Sequence, residues 1–347
     1  MLVNVRVMSY RFAATISAAL VVGVWNEGYA QELTGAGSSF AAPLYIRWAS
    51  DYAAKTQVRV NYQSIGSGGG IRQFSEMTVD FGGTDGPMTD EQIAKAKGGP
   101  VLHVPVAMGA AVIVYNVPGV TRQLRMSGPV IAGIFLGKIA KWNDAGIRAL
   151  NPGVALPDQD ILVVHRSDGS GTTFMFTDFL TAVSPEWARS VGKGTDVKWA
   201  VGLGAKGSDG VTGQVKQLPG SIGYVELSYA IENKLQYALV RNAAGNFVQA
   251  SIASVTAAAA AIARGLPANT DYRISIVNAP GNAAYPISSM TWALVYVHQA
   301  DPAKGRMLVA FLRYGITKGE EAAERLDYAP LPPMIVKQLE KRLNAVK

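Results

Sequence analysis

Short apolar runs rich in β-branched residues alternate along the chain with helical patterns. Five of these runs have the length and composition of strands: Val58–Tyr62, Val112–Tyr115, Ile161–His165, Ile222–Val225 and Arg273–Val277. Strands that alternate with helices are typical of layered α/β proteins. The pattern therefore predicts the α/β fold class.

One helix is predicted clearly because large apolar residues recur at every fourth position. These residues are Phe40, Leu44, Trp48 and Tyr52, and Pro43 lies in the first turn, where proline is tolerated. Such a stripe indicates a helix face that packs against the core.

Two further segments also have helical signatures. Thr89 and Gln92 have the spacing of a capping box, which predicts a short helix through Lys97. The alanine-rich segment Thr256–Arg264 predicts a surface helix.

The first thirty residues have the pattern of a secretory signal. Arg6 and Arg11 precede an apolar run, Phe12–Val24, which is followed by Gly28, Tyr29 and Ala30. The run is about 13 residues long, shorter than the roughly 20 that a membrane-spanning helix needs. We expect cleavage after Ala30 and export of the remainder, the alternative being a retained anchor.

Length and composition favour two lobes. A chain of 347 residues is too long for one ordinary hydrophobic core, and 49% apolar with 16% charged residues is typical of a globular protein. The absence of cysteine excludes disulfides, thiolate metal sites and a cysteine nucleophile. No low-complexity linker is present, so we expect crossing strands near residues 106–116 and 275–286 to act as hinges.

The net charge favours an anionic ligand or surface. It is +7 for the whole chain, and residues 1–30 contain two arginines and one glutamate, which leaves +6. The basic residues are scattered, however, and form no run typical of a nucleic-acid arm. Charge alone is therefore better explained by a solvated basic surface, and no nucleic-acid partner is expected.

Glycines and hydroxyl residues occur together at three predicted helix starts. The segments are Gly35–Phe40, Gly66–Gly70 and Asp168–Thr173. The first N–H groups of a helix lack intrahelical partners and the helix dipole adds positive charge, so such a start attracts an anion. Any one of these segments is explained by simple capping. Three in one chain favour an anion site.

Arg166 and Asp168 strengthen this hypothesis for the third segment. A guanidinium beside a helix start suits a tetrahedral oxyanion, and Asp168 could hold its rigid fork in place. The alternative is a surface ion pair that contributes little.

Asp85 follows a short predicted strand and is either a turn residue or a selectivity group. In an anion site, a carboxylate can accept a hydrogen bond only from a ligand that still carries a proton. Phosphate at neutral pH has such a proton and sulfate does not. For sulfate the carboxylate would be an unpaired like charge, at a cost of several kcal/mol.

With these segments in view, the chain resembles the periplasmic phosphate-binding proteins of the Pst transporter family. The resemblance spans nearly all of the chain after residue 30, and its motifs are specific through their order and spacing. The motifs are Leu33–Gly37, Asn61–Ser67, Val79–Gly82, Leu136–Ile139 with Trp142, His165–Thr172, Gly202–Gly204, Gly220–Glu226 and Leu326–Ala329.

The resemblance implies a set of phosphate-binding residues, with Asp168 orienting Arg166. The residues are Ser39, Phe40, Ser67, Asp85, Arg166, Ser170, Gly171 and Thr172. Where the family commonly has threonine and proline on either side of the phenylalanine, this chain has Ser39 and Ala41. No catalytic residue, metal or cofactor is implied.

The resemblance also implies an architecture and a role. We expect the two-lobed periplasmic binding protein fold of type 2, with lobes joined by hinge strands. Residues 31–111 and 283–347 would form the first lobe, and residues 112–282 the second. The expected role is capture of inorganic phosphate between the lobes and its delivery to the permease subunits of an ABC importer, in the periplasm.

Two enzyme hypotheses compete with this interpretation. Gly202–Gly207 fits the G-x-G-x-x-G dinucleotide pattern, with Glu226 at about the expected distance, but no complete βαβ unit is predicted around it. Ser170 with Arg166 and Asp168 could serve a phosphate-ester hydrolase, but the three histidines are dispersed and no base completes the set.

Binding hypotheses other than phosphate transport also stay open. A secreted sensor or scaffold would use the same residues without a transporter. Sulfate, molybdate and phosphonate are alternative ligands, and Asp85 argues against the fully ionised ones.

Overall fold

The structure is a computed structural model that describes residues 32–263, 267 and 270–347. The predicted signal segment and its cleavage position lie outside the described residues. Twelve strands are present in the described part: β1 (Glu32–Gly37), β2 (Arg59–Ser64), β3 (Phe81–Thr84), β4 (Val101–Asn116), β5 (Arg125–Met126), β6 (Leu162–Arg166), β7 (Leu203–Ala205), β8 (Ser221–Glu226), β9 (Gln236–Tyr237), β10 (Leu239–Arg241), β11 (Phe247–Val248) and β12 (Ser288–Tyr296).

The helices alternate with these strands, which confirms the predicted α/β class. They are α1 (Ala42–Thr56), α2 (Ser67–Ser75), α3 (Asp90–Lys95), α4 (Gly128–Phe135), α5 (Ala145–Leu150), α6 (Gly171–Val183), α7 (Pro185–Ser190), α8 (Gly207–Gln217), α9 (Leu227–Glu232), α10 (Ile252–Ala263), α11 (Pro302–Thr317), α12 (Glu320–Glu324) and α13 (Pro333–Leu343).

One long strand, β4, links two halves of the main sheet. The strand order is β2-β1-β3-β12-β4-β8-β6-β7, with β9 also on β4, and β11-β10-β5 form a separate small sheet. The first part of β4 pairs with β12 as far as Ala110, and the second part pairs with β8 from Ala111 onwards. The change of partner within one strand gives the sheet its two-part organisation.

Four of the five predicted strands are confirmed, and the fifth is wrong. Residues 273–276 form no strand, because polar side chains rather than a ladder anchor them. Arg273 forms ion pairs with Asp90 and Asp271, and the Ser275 hydroxyl donates to Asp178. The apolar strand expected within residues 275–286 is therefore absent, and the next strand begins at Ser288.

The predicted helix signals correspond to real helices. The face of α1 that carries Leu44, Trp48 and Tyr52 is buried, and the capping box of Thr89 and Gln92 begins α3. Residues 256–263 of the alanine-rich segment lie in α10, which is only partly a surface helix because Ala258 and Ala259 are buried; Arg264 lies outside the described residues.

The sequence around Gly202–Gly207 was expected to lack a βαβ unit, and that expectation is wrong. β7, α8 and β8 follow one another, and both strands lie parallel to β6. The unit was not predicted because β7 is only three residues long and Gly204 at its centre contributes no side chain to a strand pattern.

The C-terminal helices return to the start of the chain. The Trp48 indole N–H of α1 donates to the Gly319 carbonyl, which lies between α11 and α12. Residues 32–263, 267 and 270–347 include no helix that is both long enough and apolar enough to span a membrane.

Candidate anion-binding site

The three glycine and hydroxyl segments lie at helix starts, as predicted: Gly35–Phe40 precedes α1, and α2 and α6 begin within the other two segments. The last two meet directly: the Gly68 N–H donates to the Gly169 carbonyl across 2.8 Å. A Cβ on Gly68 would lie 2.9 Å from the Gly169 Cα. This backbone-to-backbone contact, which we call the glycine seam, brings the start of α2 against the loop before α6.

Asp85 is at the centre of one side of the site and is buried, with 1% of its surface exposed. Its Oδ1 accepts hydrogen bonds from the Ser38 hydroxyl at 2.5 Å and the Thr291 hydroxyl at 2.8 Å. Its Oδ2 accepts one from the Ser67 hydroxyl at 3.2 Å. Burial raises the pKa of Asp85 to about 6, although these hydroxyls and the nearby Arg166 oppose the rise.

Arg166 and Asp168 form a buried, two-pronged ion pair on the other side. The Arg166 Nε lies 2.7 Å from Asp168 Oδ1, and Nη2 lies 2.6 Å from Oδ2. The exposed fractions of the two side chains are 2% and 14%. Burial acts to raise the pKa of Asp168, but the hydrogen bonds and charge of Arg166 outweigh it and lower that pKa. Asp168 therefore holds the Nε and Nη2 groups of Arg166 in a fixed orientation.

Several donors in this region have no acceptor among the described protein atoms. The Thr172 hydroxyl is buried without a partner. The backbone N–H groups of Phe40, Gly171 and Thr172 likewise donate to no backbone or side-chain acceptor in the described residues. Because buried polar groups are normally paired, donors of this kind indicate a place for an acceptor from outside the chain.

Gly171 packs beneath the Asp85 side of the site. A Cβ on this glycine would lie 2.5 Å from the Ser67 Oγ and 2.6 Å from the Asp85 Oδ2. Only glycine leaves room there, which explains why the third segment has this residue at the first turn of α6. The contact joins the α6 start to the Asp85 carboxylate.

The remaining predicted residues lie in the same network. The Ser39 Oγ is 3.1 Å from the Ser208 Oγ, and Arg166 Nη1 is 3.5 Å from the same atom of Ser208. The Phe40 carbonyl accepts from the Tyr328 hydroxyl at 2.5 Å. The Ser170 Oγ caps α6 by accepting a hydrogen bond from the Thr173 N–H. The hydroxyl proton of Ser170 can still be donated to another group.

Four residues of this network were missed from sequence. Ser38 lies beside the predicted Ser39 and could have been considered with it. Ser208 directly follows Gly202–Gly207, which fits the dinucleotide pattern and was considered only for that hypothesis. Thr291 lies on β12 and had no local signal, because only folding brings it to the site, whereas Tyr328 lies within the motif Leu326–Ala329 but was not predicted to contact the site.

His103 and His165 have partners other than the hydroxyl groups of the site. His103 accepts from the Met88 N–H, and His165 stacks on Trp199, so neither hydrogen-bonds a hydroxyl of the site. In the described part of the chain, no three His, Asp or Glu side chains are placed to hold a metal ion.

Comparison with known proteins first shows the superfamily and the fold of the chain. A family model described as the PBP superfamily domain matches residues 25–318. The solved structure of a high affinity periplasmic phosphate-binding protein, PfluDING, bound with phosphate, superposes with a TM-score of 0.73 at 22% identity, over 90% of this chain and 93% of that one. The phosphate-binding protein from Stenotrophomonas maltophilia superposes with a TM-score of 0.72 at 20% identity, over 90% and 93%. The chain has the two-lobed α/β fold of the PBP superfamily.

Curated relatives give the particular family. The phosphate-binding protein PstS of Xylella fastidiosa (strain 9a5c) is 47% identical over 310 residues, which cover 89% of this chain and 84% of the relative. PstS of Pasteurella multocida (strain Pm70) is 44% identical over 318 residues, covering 90% and 89%. The chain belongs to the PstS family of phosphate-binding proteins. The expectation of a binding protein rather than an enzyme is confirmed at the level of this family.

Proposed function

We propose that this chain is the substrate-binding component of an ABC importer and captures inorganic phosphate. The observation that carries the proposal is the set of buried donors beside one buried carboxylate. The Thr172 hydroxyl, the Arg166 guanidinium and the backbone N–H groups of Phe40, Gly171 and Thr172 supply donors to a tetrahedral anion. Asp85 supplies the acceptor for the proton that the anion retains.

In this proposal the phosphate contacts are those expected from the resemblance. Ser39, Phe40, Ser67, Asp85, Arg166, Ser170, Gly171 and Thr172 bind phosphate, and Asp168 orients Arg166. The burial of the charged and hydroxyl members supports this assignment, since a desolvated anion needs fixed donors in place of its lost water.

Opening of two lobes would expose this site, and their closure would enclose it. We propose lobes of residues 31–111 with 283–347, and 112–282, joined by β4 and by the irregular segment within residues 275–286. The change of β4 partner between Ala110 and Ala111 supports the first boundary. Closure would report the loaded state to the permease subunits, so that transport is coupled to occupancy.

We place this activity in the periplasm, after removal of residues 1–30. The support is the signal pattern of that segment, together with membership of a family of phosphate-binding proteins. Mass spectrometry of the protein recovered from a periplasmic extract would test the cleavage after Ala30. A protein that retains its first thirty residues in the membrane fraction would contradict it.

A panel of anions tests the proposed ligand directly. Purified chain beginning at Gln31 is heated with phosphate, arsenate, sulfate, molybdate or glucose 6-phosphate at equal concentration and pH 7.5. Phosphate should raise the melting temperature most, since a ligand that binds only the folded state stabilises it in proportion to the logarithm of its concentration over Kd. An equal shift with sulfate would refute a phosphate receptor.

A further inference from the structure

The start of α8 lies beside the proposed phosphate site although no predicted binding residue belongs to it. Lys206 precedes the helix and gives no side-chain cap. The first N–H groups of the helix donate instead to distant residues: Gly207 to Asp168 Oδ1 at 2.9 Å, and Ser208 to the Ser39 Oγ at 3.3 Å. Side chains from two other segments therefore cap this helix.

Ser208 connects two groups that come from different parts of the fold. It is 1% exposed, and its hydroxyl lies between the Ser39 hydroxyl at 3.1 Å and Arg166 Nη1 at 3.5 Å. Ser39 follows β1 in the proposed first lobe, whereas Arg166 ends β6 in the proposed second lobe. Ser208 thus makes the contact between them without any ligand atom.

The geometry gives Ser208 a specific effect on each neighbour. The Ser39 Oγ accepts from the Ser208 N–H, so the Ser39 proton must point in another direction. Asp168 holds Nε and Nη2 of Arg166, and Ser208 lies against the remaining nitrogen, Nη1. Both groups that Ser208 touches are proposed phosphate donors.

We propose that Ser208 is a positioning residue for phosphate, which orients the Ser39 hydroxyl and braces Arg166 as the lobes close. The proposal deepens the proposed function and rests on it. Ser208 acts mainly through Ser39. Its N–H and its hydroxyl both contact the Ser39 Oγ, and both contacts are shorter than the one between Ser208 and Arg166. Removing the hydroxyl leaves the N–H bond but takes away the second contact and the brace on Arg166.

A second contact to Ser39 provides a comparison. The Tyr229 hydroxyl donates to the Ser39 carbonyl at 2.8 Å, so it also joins the two proposed lobes but touches no phosphate donor side chain. Tyr229→Phe should therefore affect closure without depending on the Ser39 hydroxyl.

The test is a double-mutant cycle on phosphate affinity, measured by calorimetry on the chain beginning at Gln31. Ser208→Ala should weaken phosphate binding about 5- to 20-fold, the effect of losing one hydrogen bond near a charged group. In a Ser39→Ala background the same change should weaken binding by no more than about twofold, since the group through which Ser208 acts is gone. Tyr229→Phe should weaken binding by the same factor in both backgrounds.

Two controls separate this proposal from others. Ser50→Ala on the exposed side of α1 should leave Kd unchanged, and the unliganded Ser208→Ala chain should melt within about 2 °C of the parent. Equal effects of Ser208→Ala in both backgrounds, an unchanged Kd, or a large fall in melting temperature would each overturn the positioning role. Failure of the parent chain itself to bind phosphate would instead refute the proposed function.

Discussion

Asp85 illustrates how one buried carboxyl can decide which anion is accepted. Three hydroxyl groups donate hydrogen bonds to Asp85 and favour its ionised form, which is an acceptor. Burial opposes them, because it favours the neutral form of the carboxyl. An acceptor at this position suits a ligand with a proton of its own. A fully ionised ligand meets a like charge that water does not screen.

This balance predicts a pH dependence of sulfate binding. Burial raises the pKa of Asp85 to about 6, so the carboxyl is protonated below that pH and can donate a hydrogen bond to sulfate. Sulfate affinity should rise as the pH falls from 8 to 5, by up to about tenfold per pH unit above the pKa. Calorimetry with sulfate at four pH values measures this change in affinity.

Asp85→Asn is the matched control for this prediction. Its side chain carries no charge at any of these pH values and can donate, so sulfate should bind equally across the series while phosphate binding changes only modestly. A flat sulfate affinity in the parent chain, or continued exclusion of sulfate by Asp85→Asn, would remove Asp85 from the selectivity role.

The Arg166–Asp168 pair predicts a large loss when the arginine is truncated. Arg166→Ala should cost about 2–5 kcal/mol of phosphate binding, roughly 30- to 5,000-fold in Kd, because it removes a desolvated charge contact. Arg47→Ala is a fitting control, since Arg47 also pairs with an aspartate, Asp51, but is 51% exposed. Calorimetry should show almost no change for Arg47→Ala. An equally small effect of Arg166→Ala would place Arg166 outside the binding site.

At the scale of elements, helix starts and glycines act together. α2 and α6 approach so closely that the Gly68 N–H reaches the Gly169 carbonyl, and such an approach is possible only without side chains. The capping explanation holds for Ser170 taken alone, yet the same helix start also presents the N–H groups of Gly171 and Thr172, which have no protein acceptor among the described residues. One helix terminus therefore serves both capping and the proposed anion contact.

The glycine seam predicts that Gly68→Ala impairs phosphate binding. A Cβ at this position would press on the backbone of Gly169, and overpacking of this kind typically costs ~1–3 kcal/mol, or about 5- to 100-fold in phosphate affinity. The melting temperature without phosphate should change little, because the new Cβ does not press on Gly169 when the lobes are apart. Calorimetry and a melting curve give the two quantities.

Gly213→Ala provides the control within another helix. A Cβ on Gly213 in α8 meets no atom within 4 Å, so the change should stabilise the fold by ~0.5–1 kcal/mol and leave Kd unaltered. If Gly68→Ala bound phosphate as tightly as the parent, the seam would have no part in closure.

At the scale of the whole molecule, the main sheet is shared between two groups of strands. β4 runs through both, with β12 on its first part and β8 on its second. A rotation of one group against the other would bend this strand near Ala110 and Ala111, where its partner changes. Contacts such as Gly68 with Gly169, and Ser39 with Ser208, would then form or break together.

This arrangement predicts a phosphate-dependent change of shape. Small-angle X-ray scattering should give a smaller radius of gyration with saturating phosphate than without it, because the ligand favours the closed arrangement. Arg166→Ala at the same phosphate concentration should keep the larger value. Identical scattering of the parent chain in both conditions would argue against closure by phosphate.

The sequence by itself determined the α/β class, the α1 face, the α3 cap and the three helix starts, because each depends on residues close together in the chain. Asp85 and Arg166 were also predicted as candidates from their local motifs, and Thr172 from the family resemblance. The prediction from sequence failed at residues 273–277, where β-type composition was overridden by the ion pairs of Arg273, and at β7, whose three residues are too few for a pattern.

The tertiary structure decided which of these local features share one site. Thr291 reaches Asp85 through the pairing of β12 with β3 and β4, and Ser208 reaches Ser39 through the β7–α8–β8 crossover, across 169 positions of sequence. Strand register and helix packing fix such contacts, and no short stretch of sequence encodes them. The chemistry of the donors was therefore local, while their convergence on one buried carboxylate was a property of the fold.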